Sequence, residues 1–265
     1  MPRGVRWVVM AIAFERRGSG KPLLLVHGLG SSRAAWDPVV AALAKERELI
    51  LLDLPGHGAS PAEQDSGTFD GLARSLGEWV AAEKLTGVPM VGSSLGARLV
   101  LEMARRGVAG PVVALDPGGF WQGWERTLVR STLLASAALM RTLRGAIPTL
   151  SRNSVSRSLL LAQLSARPWA LDGAFVAHEQ TSLADTPTAA SLVRDLASGP
   201  VQQGPSASGP VTIGWGRHDR LCLPVQAERA QRAFPGSRLV WFEHSSHFPM
   251  WDEPAKAAAL ILEAT

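Results

Sequence analysis

Short apolar runs suited to strands alternate with helical spacing through most of this 265-residue chain, and the alternation stops between Phe120 and Ser198. A strand buried on both faces reads as a continuous apolar run, and parallel neighbours need a helix-length crossover between them. Residues 7–14, 22–26, 49–52, 89–91, 112–115, 211–215 and 239–242 fit such strands. Residues 34–44, 69–85, 95–106, 224–233 and 254–264 carry the helical spacing that separates and follows them. That order predicts an α/β fold with a mostly parallel sheet flanked by helices. The central stretch instead carries helical patterns at 126–143, 154–165, 170–182 and 189–197. Residues 199–209, rich in Pro, Gly, Ser and Gln, read as a linker. The expected organisation is a core over 1–119, a helical unit over 120–205, and the rest of the core over 206–265.

Composition limits what else the chain can be. Hydrophobic residues at 46% and charged residues at 19% supply a sizeable core and exclude a disordered chain. The net charge of +4 comes from scattered Arg, with pairs only at Arg16-Arg17 and Arg105-Arg106, and without the basic run expected of a nucleic-acid binder. Cys222 is the single cysteine, so an internal disulfide or a multi-cysteine metal site is excluded. Residues 7–14 are followed by Glu15-Arg16-Arg17 and not by a small-residue cleavage site, which favours an opening strand over a signal peptide. Residues 128–150 are apolar but broken by Arg130, Arg141, Arg144 and Pro148, short of the ~20 residues that cross a bilayer. A cytoplasmic protein without a nucleic-acid or membrane partner is expected.

Gly92-Ser93-Ser94-Leu95-Gly96 is the one G-x-S-x-G of the chain, set between a strand-like run and a helical stretch. In so sharp a turn, side chains two residues either side of the serine would collide, and Gly92 and Gly96 remove them. The hydroxyl is then presented at the carboxyl end of the sheet, where ligands enter open α/β folds. The following helix N-terminus favours developing negative charge there.

A serine nucleophile needs an oriented base. Of His27, His57, His178, His218, His244 and His247, His247 lies just after the last strand in a loop able to reach back over the sheet edge. His244, nearer the strand, is expected to point elsewhere. Asp219, beyond the strand 211–215, is the carboxylate expected to fix the tautomer of His247. Asp116 also ends a strand and is the alternative. The order Ser94, Asp219, His247 is the chain order of hydrolases with a nucleophile elbow. Two backbone N–H groups are needed for an oxyanion hole, and Leu95 and Leu29 are assigned to it. His27 is expected to be a structural hydrogen-bonder.

His27-Gly28-Leu29-Gly30, Asp53-Leu54-Pro55-Gly56-His57-Gly58-Ala59-Ser60, Gly92-Ser93-Ser94-Leu95-Gly96, Gly216-Arg217-His218-Asp219 and His247-Phe248-Pro249-Met250-Trp251-Asp252-Glu253-Pro254 together resemble the α/β-hydrolase superfamily. The landmarks follow its order and spacing from about residue 10 to the end. The resemblance implies an eight-stranded-type sheet with an all-helical cap inserted after the sixth strand. It also implies the roles given to Ser94, Asp219 and His247, and a structural turn around His57. Ala97 departs from the pattern, since many relatives carry a second glycine there. Arg98 is similar to capped members acting on acidic small molecules. The serine argues against the haloalkane dehalogenases, whose nucleophile is an aspartate.

The expected pocket lies between core and cap, walled by Leu29, Trp36, Phe120, Trp121, Trp124, Phe248 and various Leu and Met of the insert. Nine tryptophans without a tyrosine suggest apolar walls. Cys222 is expected to be a packed thiol. The expected function is hydrolysis of a small, fairly apolar carboxylic ester through an acyl-enzyme. No cofactor and no metal are expected, and the protein is taken as a monomer or homodimer. The rival readings are the same triad on a C–C bond, a lactone, a thioester or in perhydrolysis, and a lyase, cyclase or ligand-binding role in the same cavity.

Overall fold

The computed structural model describes residues 12–265. Among them, β1 (Phe14–Gly18), β2 (Lys21–Val26), α1 (Asp37–Leu43), β3 (Arg47–Leu52), α2 (Phe69–Ala82), β4 (Met90–Ser93), α3 (Leu95–Arg105) and β5 (Val112–Leu115) follow in order. Then come α4 (Trp124–Leu143), α5 (Ile147–Arg152), α6 (Ser154–Leu160), α7 (Gly173–Asp185) and α8 (Ala189–Ser198), without an intervening strand. The α/β order resumes with β6 (Val211–Gly216), α9 (Val225–Ala233), β7 (Arg238–Phe242), α10 (Pro249–Asp252) and α11 (Pro254–Ala264).

One seven-stranded sheet has the order β1-β3-β2-β4-β5-β6-β7. Only β1 runs antiparallel, with Arg16 opposite Ile50. The chain moves one way from β2 to β3, then crosses back to β4 on the other side of β2. That reversal opens a crevice at the carboxyl ends of β2 and β4, the place where such sheets bind ligands.

The central strands are apolar on both faces because both are covered. Leu24, Val26, Ile50 and Leu52 pack with Leu72, Leu76, Leu99 and Val100 of α2 and α3. Their neighbours Leu23, Leu25, Leu49 and Leu51 face α1 and α11 through Val39, Leu43, Leu260 and Ile261. Alternate residues of one strand thus enter different cores. Thr68 Oγ1 accepts from Gly71 N–H at the start of α2, and Asp172 Oδ1 accepts from Ala174 and Phe175 at the start of α7. These satisfy amide groups that a helix start leaves unpaired.

Several expected boundaries shift. Most of the expected opening strand at residues 7–14 lies outside the described residues. The first described strand begins at Phe14 and takes in Glu15, Arg16 and Arg17. As an edge strand it is largely exposed, so it can be polar and lacks the buried pattern on which the expectation relied. The eight-stranded-type sheet shows seven strands among the described residues, so the helical stretch follows the fifth described strand. Helix α5, absent from the expected pattern, is a short segment between α4 and α6. No helix among the described residues is long and apolar enough to cross a membrane.

Trp36 is fully buried and belongs to the α1/α11 core with Leu43 and Trp251. Trp36→Ala is therefore expected to cost about 3–5 kcal/mol of stability. Urea unfolding checks this, and a loss below about 1 kcal/mol would contradict the packing role.

Candidate active site

Ser94 sits between β4 and α3 with φ 55° and ψ −112°, a conformation that L-residues rarely adopt. The turn closes because its flanks lack side chains. A Cβ on Gly92 would lie 2.2 Å from the Gly96 carbonyl oxygen, and one on Gly96 would lie 2.1 Å from that of Val26. The strained turn is held by Ser94 N–H donating to Leu115 O at 2.9 Å, and by Arg98 and Gly118 amides donating to Ser94 O.

The structure brings Ser94, His247 and Asp219 together. His247 Nε2 lies 2.8 Å from Ser94 Oγ, and His247 Nδ1 lies 2.8 Å from Asp219 Oδ2. Asp219 Oδ1 accepts from the Leu221 and Cys222 amides at 2.8 and 3.0 Å. A carboxylate only accepts, so Nδ1 carries the imidazole proton and Nε2 is free to accept from the serine hydroxyl.

Two further carboxylates, which the sequence analysis quoted without giving a role, shape the loop that carries His247. Asp252 Oδ2 accepts from Ser246 N–H at 2.8 Å and from Ala166 N–H at 2.9 Å, joining that loop to the segment after α6. Glu253 Oε2 accepts from His244 N–H and Ser245 Oγ–H, both at 2.9 Å. Their only sequence signal was their place between the histidine and the terminal helix.

Asp116 is close by but does not touch His247. Its Oδ1 accepts from Gly216 N–H at 2.8 Å. Burial, then the charge of Asp219, push its carboxyl well above the usual carboxylate range.

The other buried histidines have structural partners. His27 Nδ1–H donates to Gly28 O at 2.7 Å, while its Nε2 accepts from Leu54 N–H at 3.0 Å. Burial lowers its pKa. His57 donates to Pro55 O, and burial together with His27 pushes it down to about 3. Asp53, which begins that turn, accepts from Arg33 N–H, Arg33 Nη1 and Ala59 N–H.

Leu29 and Leu95 flank Ser94, and among the described residues neither amide donates within the protein. Both residues line a narrow cavity of about 30 Å³ with Ser94, Arg98, Trp121, Val129, Leu133, Val193, Leu196, Leu221 and Cys222. Arg98 is buried, with its guanidinium 4.1 Å from the Phe69 ring centre. Its Nη2 donates to Pro200 O at 2.7 Å, and burial lowers it to about 10.

Of the expected wall residues, Leu29 and Trp121 line this cavity. Trp36 packs on the opposite face of the sheet, because the turn before α1 directs it into that core. Phe120 is buried in the α2/α3 core beside the cavity without lining it. Trp124, at the first turn of α4, is 66% exposed. Phe248 lies behind His247, its ring 4.8 Å from the imidazole and 4.0 Å from Trp251. Leu133 and Leu196 are among the leucines expected from the helical stretch, whereas Val129 and Val193 of that stretch were missed, since the sequence could not aim its apolar positions.

Asp219, Cys222 and His247 also lie close enough to hold a metal ion in principle. Their donors are engaged otherwise: both Asp219 oxygens accept hydrogen bonds, and burial pushes the Cys222 thiol well up, against the thiolate a metal requires.

A sequence profile of the alpha/beta hydrolase family matches residues 23–260. The chain belongs to that family. This hydrolase is 30% identical over 261 residues to a pimeloyl-[acyl-carrier protein] methyl ester esterase of Nitrosomonas europaea, covering 92% of this chain and 95% of that one. It is 27% identical over 262 residues to an uncharacterized protein of Mycobacterium tuberculosis, covering 94% of this chain and 76% of the other. The solved esterase of Exiguobacterium antarcticum superposes with a TM-score of 0.77 at 20% identity, over 95% and 94% of the two chains.

The two neighbouring carboxyls predict opposite outcomes. Asp219→Asn should lower kcat on a chromogenic ester about 10³–10⁴-fold, because the amide favours the wrong imidazole tautomer. Asp116→Asn should keep most of the activity, since an amide oxygen still accepts from Gly216 N–H. Steady-state kinetics of both variants decide the assignment, and the reverse ranking would give Asp116 the role.

Proposed function

We propose that this hydrolase cleaves a small, fairly apolar carboxylic ester through an acyl-enzyme on Ser94. The observation that carries the reading is the continuous chain from Ser94 Oγ through His247 to Asp219, with two uncommitted amides beside the serine. Ser94 Oγ attacks the ester carbonyl while its proton passes to His247 Nε2. The Leu29 and Leu95 N–H groups hold the oxyanion, an interaction that strengthens as charge develops. The tetrahedral species collapses as His247 gives the proton to the leaving alkoxide. Water then attacks the acyl-enzyme by the same route and regenerates Ser94. Asp219 stabilises the transient imidazolium throughout.

The apolar lining by Leu29, Leu95, Trp121, Val129, Leu133, Val193 and Leu196 favours a hydrocarbon-like acyl group over a charged or sugar-like one. Esterase activity in similar proteins supports the same reading. Residues 120–205 serve as a cap over the site. The cavity beside Ser94 is narrow, and the reading has the cap move relative to the core to admit the ester.

Ser94→Ala is expected to abolish turnover of p-nitrophenyl esters and labelling by a fluorophosphonate, with the fold retained by circular dichroism. Labelling that persists in this variant would sink the assignment of the nucleophile. A chain-length series on the wild type should favour short apolar acyl groups.

A further inference from the structure

Glu179 is a buried carboxyl on α7 that the proposed reaction does not use. Its Oε2 lies 2.6 Å from Ser31 Oγ, while its Oε1 is buried without a hydrogen-bond partner. Ser31 follows Gly30 in the loop whose Leu29 amide faces the proposed oxyanion. Ser31 Oγ also lies 3.3 Å from the Ser32 carbonyl oxygen. A hydroxyl has one hydrogen, so it cannot donate to both acceptors.

A proton on Glu179 resolves this. The carboxyl O–H donates to Ser31 Oγ, and the Ser31 hydroxyl donates to Ser32 O. What then remains unpaired on Glu179 is a neutral carbonyl oxygen, far cheaper to bury than half of a carboxylate. The surroundings favour the neutral form. Burial, opposed by the Ser31 hydrogen bond and aided by the acidic Asp37 and Asp53, raises the carboxyl to about 8. Nearby cations are committed elsewhere: Arg33 binds Asp53, and Arg144 on the chain following α4 binds Asp185 at the end of α7. His178, beside Glu179, bonds Ser32 Oγ at 3.0 Å.

The seam between α7 and this loop is tight. A Cβ on Gly30 would lie 2.3 Å from Leu183 Cδ1, so Leu183 packs directly on the loop backbone. One side of the seam borders the Ser94 cavity. Its other side borders an outer cleft of about 710 Å³ lined by Ser32, Arg33, His178 and Thr181. Because the folded carboxyl is raised, the stability it contributes is lost as pH climbs from about 4.5 towards about 8. Glutamine would be free of that loss, yet glutamate occupies the position.

We infer that Glu179 is a positioning residue whose carboxyl proton docks α7 onto the Gly28–Ser32 loop and so holds the Leu29 amide in place. Ionisation removes the donor to Ser31 and leaves a buried charge, which loosens the seam. The catalytic consequence rests on the oxyanion role proposed for Leu29, whereas the docking does not.

The test compares wild type, Glu179→Gln and Glu179→Ala over pH 6 to 10. In wild type, kcat on a p-nitrophenyl ester is expected to fall above about pH 8 with KM little changed. Glu179→Gln, whose amide always donates, should hold near wild-type kcat and lose that alkaline fall. Glu179→Ala should show kcat reduced about tenfold at every pH, a fraction of the loss expected for removing an oxyanion donor. Hydrogen exchange of residues 28–32, corrected for its intrinsic pH dependence, should show protection lost above about pH 8 in wild type and kept in Glu179→Gln. The same alkaline fall and the same exchange in wild type and Glu179→Gln would overturn the inference. The exchange difference without any ester turnover would uphold the docking and sink the ester reading instead.

Discussion

The close approach of α3 to β2 is the constraint on which the site depends. The Gly96 Cα sits so near the Val26 carbonyl that no side chain fits, and Gly92 is pressed against the Gly96 carbonyl in the same way. That contact forces Ser94 into a left-handed conformation and lifts its hydroxyl above the sheet. It also sets α3 beside the β2 exit loop, so that Leu95 and Leu29 line one cavity with Ser94. Strain at one residue is thereby held by a parallel sheet packed on both faces, which cannot relax locally without opening its core.

Around this point the chain spends much of its buried polarity on holding loops in place. Asp53 gathers three donors from the turn before α1 and the turn after β3. Asp252 and Glu253 fasten the His247 loop from behind, and Asp219 is held by two amides before it meets the imidazole. Asp116 and Glu179 differ in kind. They are buried carboxyls whose surroundings favour the protonated form, and each stands next to a group of the site without entering the proposed proton relay.

Much of this was legible in the chain itself. The strand–helix rhythm marks the parallel sheet because doubly buried strands read as unbroken apolar runs. The elbow was legible because its glycines answer to a steric demand that few other turns make. Asp219 and His247 were legible from their places after successive strands, since carboxyl-end loops of neighbouring parallel strands lie side by side. The edge strand was misplaced because exposure erased its apolar pattern, and α5 was missed because a six-residue helix leaves too short a period to read.

The wall of the cavity belongs to the other category. Trp36, Phe120, Trp124 and Phe248 are large apolar residues near the right loops, and nothing local says whether they face the cavity, a core or solvent. Their directions follow from how whole elements cross: the turn before α1 sends Trp36 to the far face of the sheet, and the first turn of α4 leaves Trp124 in water. The same holds for Glu179, an ordinary helical glutamate until α7 sets it against Ser31 from 148 residues away. Local sterics and periodicity determined the sheet, the elbow and the order of its partners, because those demands act within a few residues. Burial and charge at a distance were decided only by tertiary packing, because they depend on which surfaces meet.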